Sequence, residues 1–123
     1  MGYLLRAPAD CDDHPFLVIY VHSAPQHRGR RRVVRSTWGN VTRWTSATAG
    51  VQLRFIMGRS GNNSSDDVQR RALAVEQAEF GDLVQLDFVD SYRNMTLKAV
   101  GALQWLNEYC RDARLEPVVL TET

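Results

Sequence analysis

Long apolar runs are missing from this chain, and none approaches the length needed to cross a bilayer. The opening residues, Met1-Gly2-Tyr3-Leu4-Leu5-Arg6, lack the basic leader and long apolar stretch of a signal peptide. They also miss the myristoylation pattern, which needs Ser or Thr where Arg6 stands. Histidine is scarce, and His14, His22 and His27 have no metal-ligand spacing with any cysteine or acid, which excludes a zinc site. Cysteine is limited to Cys11 and Cys110. Two thiols so far apart in sequence read, by themselves, as free and buried. Excess charge is missing too. A formal net charge of +1 does not suit a protein built to coat nucleic acid. No internal repeat or low-complexity segment stands out.

What remains is an ordinary globular mix, 44% hydrophobic and 24% charged over 123 residues, enough for one domain with a modest core. The positive charge is local: Arg28, Arg30, Arg31, Arg32 and Arg35 fall within one short stretch. Four sequons lean towards a secretory history: Asn40-Val41-Thr42, Asn62-Asn63-Ser64, Asn63-Ser64-Ser65 and Asn94-Met95-Thr96. The first three fall in expected loops.

Residues 1–15 read as an irregular lead-in and 16–123 as one α/β domain. Residues 16–22, apolar on both faces, predict a central parallel strand. A basic helix over 28–38 follows, with Val34 and Trp38 facing the sheet and Gly39-Asn40 as the stop. Val51-Gln52-Leu53-Arg54-Phe55-Ile56-Met57 predicts the second strand, closed by Gly58. Ser64 and Asp67 fit a capping box that opens a second helix, with Val68, Ala72 and Val75 inward and Gly81 at its end. Residues 83–89 predict the third strand. A third helix over 94–110 carries the apolar stripe Ala99, Leu103, Leu106 and Cys110, and 117–123 begin a last strand. Three strand–helix repeats and a strand predict a parallel sheet with right-handed crossovers.

Ligands of such sheets sit beyond the carboxyl ends of the strands, where Ser23-Ala24-Pro25 falls, and a helix N-terminus there suits phosphate. Arg31 and Arg35 share a helix face and are the first candidates for a diphosphate, since the guanidinium fork donates two bonds at once. A solvated basic face is the competing reading. Ser23 is a nucleotide contact or a plain turn residue before Pro25. Asp90 and Lys98 flank the third strand-to-helix turn, as ligand contacts or as a helix cap and a structural ion pair. Glu76 is a surface acid or half of a buried pair. Trp38 and Trp105 read as core, and Trp44 is undecided. A different class of function, a binding module for nucleic acid or an acidic partner built on residues 28–35, is the alternative; no base-stacking or groove-reading motif supports it.

Three segments carry a resemblance to a known family. Residues 16–39 end in a helix containing Arg31, Arg35, Thr37, Trp38 and Gly39. The second segment is Phe55-Ile56-Met57-Gly58. The third joins Phe80-Gly81-Asp82-Leu83-Val84, Asp87-Phe88-Val89-Asp90-Ser91-Tyr92, Asn94-Met95-Thr96-Leu97-Lys98, Trp105 and Cys110. Together they resemble the β-1,3-glycosyltransferases of the secretory pathway, the galactosyl- and N-acetylglucosaminyltransferases of glycosyltransferase family thirty-one. The resemblance implies the Rossmann-like, nucleotide-sugar-binding half of a GT-A domain on the lumenal side of the Golgi membrane. It implies inverting transfer of galactose or N-acetylglucosamine from UDP-galactose or UDP-N-acetylglucosamine to a glycan acceptor. It makes Ser23, Arg31, Arg35, Asp90 and Lys98 the expected donor-binding residues, and pairs Cys11 with Cys110.

The family holds manganese in an Asp-x-Asp motif after its fourth strand. Here Val118-Val119-Leu120-Thr121-Glu122-Thr123 resembles that strand and stops where the first aspartate should follow. Arg114-Leu115-Glu116-Pro117 resembles a small insertion. The expectation is therefore a truncated domain without manganese ligands, catalytic base or membrane anchor, inactive by itself, with 117–123 as an exposed, frayed edge.

Overall fold

A computed structural model describes residues 2–5, 17–38, 51–61, 63–91, 94–110 and 114–119. Five strands, β1 (Tyr3–Leu5), β2 (Leu17–His22), β3 (Val51–Arg59), β4 (Leu83–Val89) and β5 (Arg114–Val119), form one sheet in the order β1-β4-β3-β2-β5. The helices are α1 (Arg28–Ser36), α2 (Asn63–Phe80) and α3 (Met95–Tyr109). β2, β3, β4 and β5 run parallel, as the strand–helix pattern predicts, and β1 adds an antiparallel edge on β4.

The strand faces sort the helices. Val21, Leu53, Phe55, Met57 and Leu83 point to one side, where Val34 of α1 and Leu73 of α2 cover them. Val18, Tyr20, Ile56, Val84 and Leu86 point to the other, under Ala102 and Trp105 of α3. The chain steps from β2 to β3 to β4 with its helices on one face. It then returns past β2 to β5 with α3 on the opposite face. Reversing both direction and face keeps one crossover hand, the rule for parallel units. The reversal also creates a switch point between β2 and β5, whose ends lie level at His22 and Val119. Among the described residues no helix is long and apolar enough to cross a membrane.

Several expectations are corrected. The lead-in contains a strand, because Tyr3 and Leu5 pair with Leu86 and Gln85. Residues 114–117, expected to precede most of the last strand, form its first part: each pairs with a residue of β2, from Leu17↔Arg114 to Tyr20↔Pro117. Pro117 can join because, among the described residues, β5 is a sheet edge, where a missing N–H can be tolerated. The buried face of α2 is Leu73, Glu76 and Gln77, while Val68, Ala72 and Val75 are exposed. An apolar period misleads here because α2 buries polar groups with partners. Glu76 meets arginines, and Gln77 both donates to Leu83 O (3.1 Å) and accepts from Leu83 N (2.9 Å).

On α3, Lys98, Gly101, Ala102 and Trp105 face inward and Leu103 is 57% exposed. Small residues win this face because the helix lies close to the sheet: a Cβ on Gly101 would collide with Leu86 Cδ1. Trp38 is 40% exposed rather than core, since α1 ends at Ser36, whereas Trp105 is core. α2 begins at Asn63, one residue before the expected cap. β3 runs through Gly58 to Arg59. Gly81, in the left-handed region at φ 65°, stops α2 as expected, with its N–H on Gln77 O at 2.8 Å. Phe16, Gly39, Asn40 and Trp44 lie outside the described residues.

Candidate functional site at the carboxyl ends of the strands

The turn after β2 sits at the switch point, where open α/β sheets receive ligands. Ser23 is fully buried and held from both faces of the sheet. Its N–H bonds Ile56 O at 2.9 Å. Its hydroxyl accepts from Arg31 Nη1 at 3.0 Å on the α1 side. Its carbonyl accepts from Lys98 Nζ at 3.0 Å on the α3 side.

Arg31 is 1% exposed and engages every N–H it has. A guanidinium carries five. Nε and Nη2 grip both oxygens of Glu76 (2.7 and 2.8 Å). Nη1 also bonds Ala24 O (2.6 Å), and Nη2 bonds Pro25 O (3.1 Å). All five N–H groups of Arg31, expected as a diphosphate contact, are thus taken up within the protein. Arg35 is displaced for a different reason. One helical turn beyond Arg31, it has moved about 6 Å away from the ligand end. There it forks onto Asp82 (2.8 and 2.7 Å), just before β4 begins, and bonds Glu76 at 2.7 Å. Its Cζ lies 4.0 Å from the Phe80 ring centre and 4.9 Å from that of Phe55. Arg31 and Arg35 are thus bound up within the fold, while Arg28, Arg30 and Arg32 are exposed, and the nucleic-acid or acidic-partner alternative is not supported.

Lys98 and Asp90 do come together at the strand ends. Their ion pair is 2.8 Å long, with both side chains almost fully buried. Asp90 Oδ2 accepts the Gly58 N–H at 2.9 Å, and the Asp90 N–H bonds Arg59 O at 2.8 Å. Lys98 donates to Asp90 and Ser23 and so has a third N–H beyond those two bonds. His22, stacked on Tyr20 at 5.3 Å, lies in the same field. Burial and the Lys98 charge push its pKa below the ordinary value, with Asp90 opposing. His22 was dismissed only as a zinc ligand, and its ring belongs to this cluster.

Gly58 is where β3 slips register against β4. Its carbonyl accepts from Gln85 Nε2 at 3.0 Å, and a Cβ there would lie 2.6 Å from Phe88 O and 3.0 Å from Asp90 N. Backbone cannot yield as a side chain does. Gly58→Ala is expected to cost about 1–3 kcal/mol by overpacking. Gly29→Ala, on exposed α1 with open space around its Cβ, should gain about 0.5–1 kcal/mol. Urea midpoints of the two variants check the contrast.

The acids described are poor metal ligands, because cations hold them: Asp90 by Lys98, Asp82 by Arg35, and Glu76 by Arg31 and Arg35. Among the described residues no cluster suits a metal ion. Cys110 is buried and disulfide-bonded, and Cys11 lies outside the described residues.

Residues 29–117 match the protein family described as galactosyltransferase. The chain belongs to the galactosyltransferase family. It is 35% identical over 122 residues to rat UDP-GalNAc:beta-1,3-N-acetylgalactosaminyltransferase 1, covering 98% of this chain and 35% of that protein. It is 36% identical over 110 residues to rat UDP-GlcNAc:betaGal beta-1,3-N-acetylglucosaminyltransferase 7, covering 87% and 27%. With rat beta-1,3-galactosyltransferase 4 it shares 40% over 100 residues, covering 81% and 25%. The chain therefore spans about a third or less of the relatives it matches. The resemblance read from the sequence to β-1,3-glycosyltransferases is borne out, and by family the protein is a glycosyltransferase.

Proposed function

We propose that this galactosyltransferase-family chain forms the donor-nucleotide half of a GT-A, Rossmann-like β-1,3-hexosyltransferase. The donor is UDP-galactose or UDP-N-acetylglucosamine, the acceptor a glycan, and the setting the lumenal side of the Golgi membrane. The observation that carries the reading is a switch point with a buried lysine beside it: the turn after β2 is held by Lys98, which keeps one N–H in hand. That N–H is the diphosphate contact, and Asp90 keeps lone pairs for the ribose or uracil. Manganese, which the family implies, does not fit these residues, since every acid of the site is already bonded to a cation. In the complete enzyme the ion would be held by other carboxylates. Transfer also needs a base on the acceptor hydroxyl, and among the described residues the acids of this site are each bonded to a cation. The 123 residues alone therefore bind UDP weakly, without metal dependence, and transfer no sugar. Cys11 is the partner of Cys110, which non-reducing peptide mapping checks.

Titrating UDP into the ¹⁵N-labelled protein tests the reading. Amide shifts are expected at Ala24, Gln26 and Ser91, unchanged by manganese. Lys98→Gln should weaken binding about tenfold or more, the loss of a buried charged hydrogen bond. No shifts at the strand ends, or equal affinity in Lys98→Gln, would overturn the site. Transfer of galactose or N-acetylglucosamine by this chain would overturn its inactivity.

A further inference from the structure

We propose that Arg31, anchored by Glu76, is a positioning residue that presets the shape of the turn after β2, and that Ser23 is its fastening point rather than a ligand contact. This rests on the nucleotide reading of the switch point. The geometry is that of a brace. Arg31 Nη1 and Nη2 take three successive acceptors of the turn, Ser23 Oγ, Ala24 O and Pro25 O, at 3.0, 2.6 and 3.1 Å. The opposite side of the same guanidinium is fixed to α2 through both Glu76 oxygens. Both side chains are 1% exposed, so neither meets solvent or a ligand. The Ser23 hydroxyl is itself buried, accepting from Arg31 and leaning on Ala24 O at 3.3 Å.

An ion pair that served stability alone would not need to bond three consecutive residues of a connecting turn. Its effect is to fix the backbone where the ligand-end amides begin. Lys98 holds the same turn from the other face, and its anchor Asp90 follows β4. Two later strand–helix units thus clamp the turn of the first. Binding to a turn already fixed avoids the ordering cost that a loose turn would charge against affinity.

The experiment compares Arg31→Lys, Ser23→Ala and Val34→Ala in the full 123-residue protein, by amide hydrogen exchange and UDP titration. Lysine keeps a charge for Glu76 but cannot reach four groups. Ser23→Ala removes only the hydroxyl and keeps the variant set readable should Arg31→Lys fail to fold. Val34→Ala weakens α1 without touching the brace. Arg31→Lys is expected to speed exchange at Gln26 and His27 about tenfold, and Ser23→Ala severalfold, with Phe55 and Leu86 much less affected. Both should weaken UDP binding. Val34→Ala should speed all slow amides alike and leave affinity unchanged. Uniform exchange changes in all three variants would overturn the brace. A locally loosened turn with unchanged UDP affinity would overturn its positioning role. Absence of UDP binding by the wild-type protein would overturn the nucleotide reading, and the exchange pattern would still decide the brace.

Discussion

Glu76→Ala is expected to remove about 3–5 kcal/mol of folding stability, since it strands buried cations without their acid. The carboxylate accepts from Arg31 Nε and Nη2 and from Arg35 Nη2, all within 2.8 Å, and is 1% exposed. Removing it leaves Asp82 as the acid bonded to Arg35 and none on Arg31. Urea denaturation measures the loss as a shift in midpoint at constant slope. A companion variant tests the cause. Arg31→Met combined with Glu76→Leu replaces the buried pair by apolar volume and should recover part of the stability, the remainder staying lost because Ala24 O, Pro25 O and Arg35 Nη2 lose these partners. If Glu76→Ala costs under about 1 kcal/mol, the network is behaving as a solvated surface pair.

The same carboxylate carries a pH signature. Burial by itself would raise its pKa, but the hydrogen bonds and charges of Arg31 and Arg35 outweigh burial and hold it below the ordinary value. A folded value below the unfolded one means the stabilisation is complete above the ordinary carboxylate range. It fades as pH falls through the lowered folded value. Stability of the wild-type protein should therefore drop more steeply on acidification than that of Glu76→Ala.

Strand order along the chain and the ligand end of the sheet were legible because apolar runs, glycines and turns are local signals. β4 falls at residues 83–89 as its pattern predicts, and Gly81 ends α2. Helix faces were not legible in the same way. α2 turns Glu76 and Gln77 inward, since an arginine on α1 and the start of β4 satisfy them, and neither partner is visible from α2 itself. α3 turns Gly101 and Ala102 inward because of its distance from the sheet, which no periodicity reports.

The candidate site divides along the same line. Asp90, Lys98 and Ser23, candidates from their place around the strand ends, do come together. Arg31 and Arg35 were read as one face with one job. The fold gives them different depths along α1, and acids more than 40 residues away claim both. The signal that could have found this was present. Glu76 in the second half of α2 and Asp82 before β4 are natural partners for two arginines one turn apart.

Trp105→Ala is expected to be the other large loss, about 3–5 kcal/mol, through a cavity that its neighbours cannot fill. Trp105 is 1% exposed and packs among Val18, Tyr20, Ile56, Val84, Leu86 and Ala102, joining α3 to three strands at once. The Arg54 guanidinium lies 5.4 Å from its ring centre, itself buried and bonded to Leu53 O and Gln52 Oε1. Truncation therefore removes both a large apolar volume and the ring beneath a cation. The consequence should reach the ligand end. Lys98 lies two turns earlier on the buried face of α3, so its reach to Ser23 O depends on how firmly the helix sits. Thermal or urea unfolding gives the stability loss, and UDP titration below the transition gives the second effect. Trp105→Phe, which keeps a ring in place, should retain most of the stability and the wild-type affinity. Strong destabilisation of Trp105→Ala with unchanged UDP affinity would mean that α3 positions Lys98 through its first turn alone. Weakened affinity in Trp105→Ala, restored in Trp105→Phe, would tie core packing on one face of the sheet to ligand binding at its end.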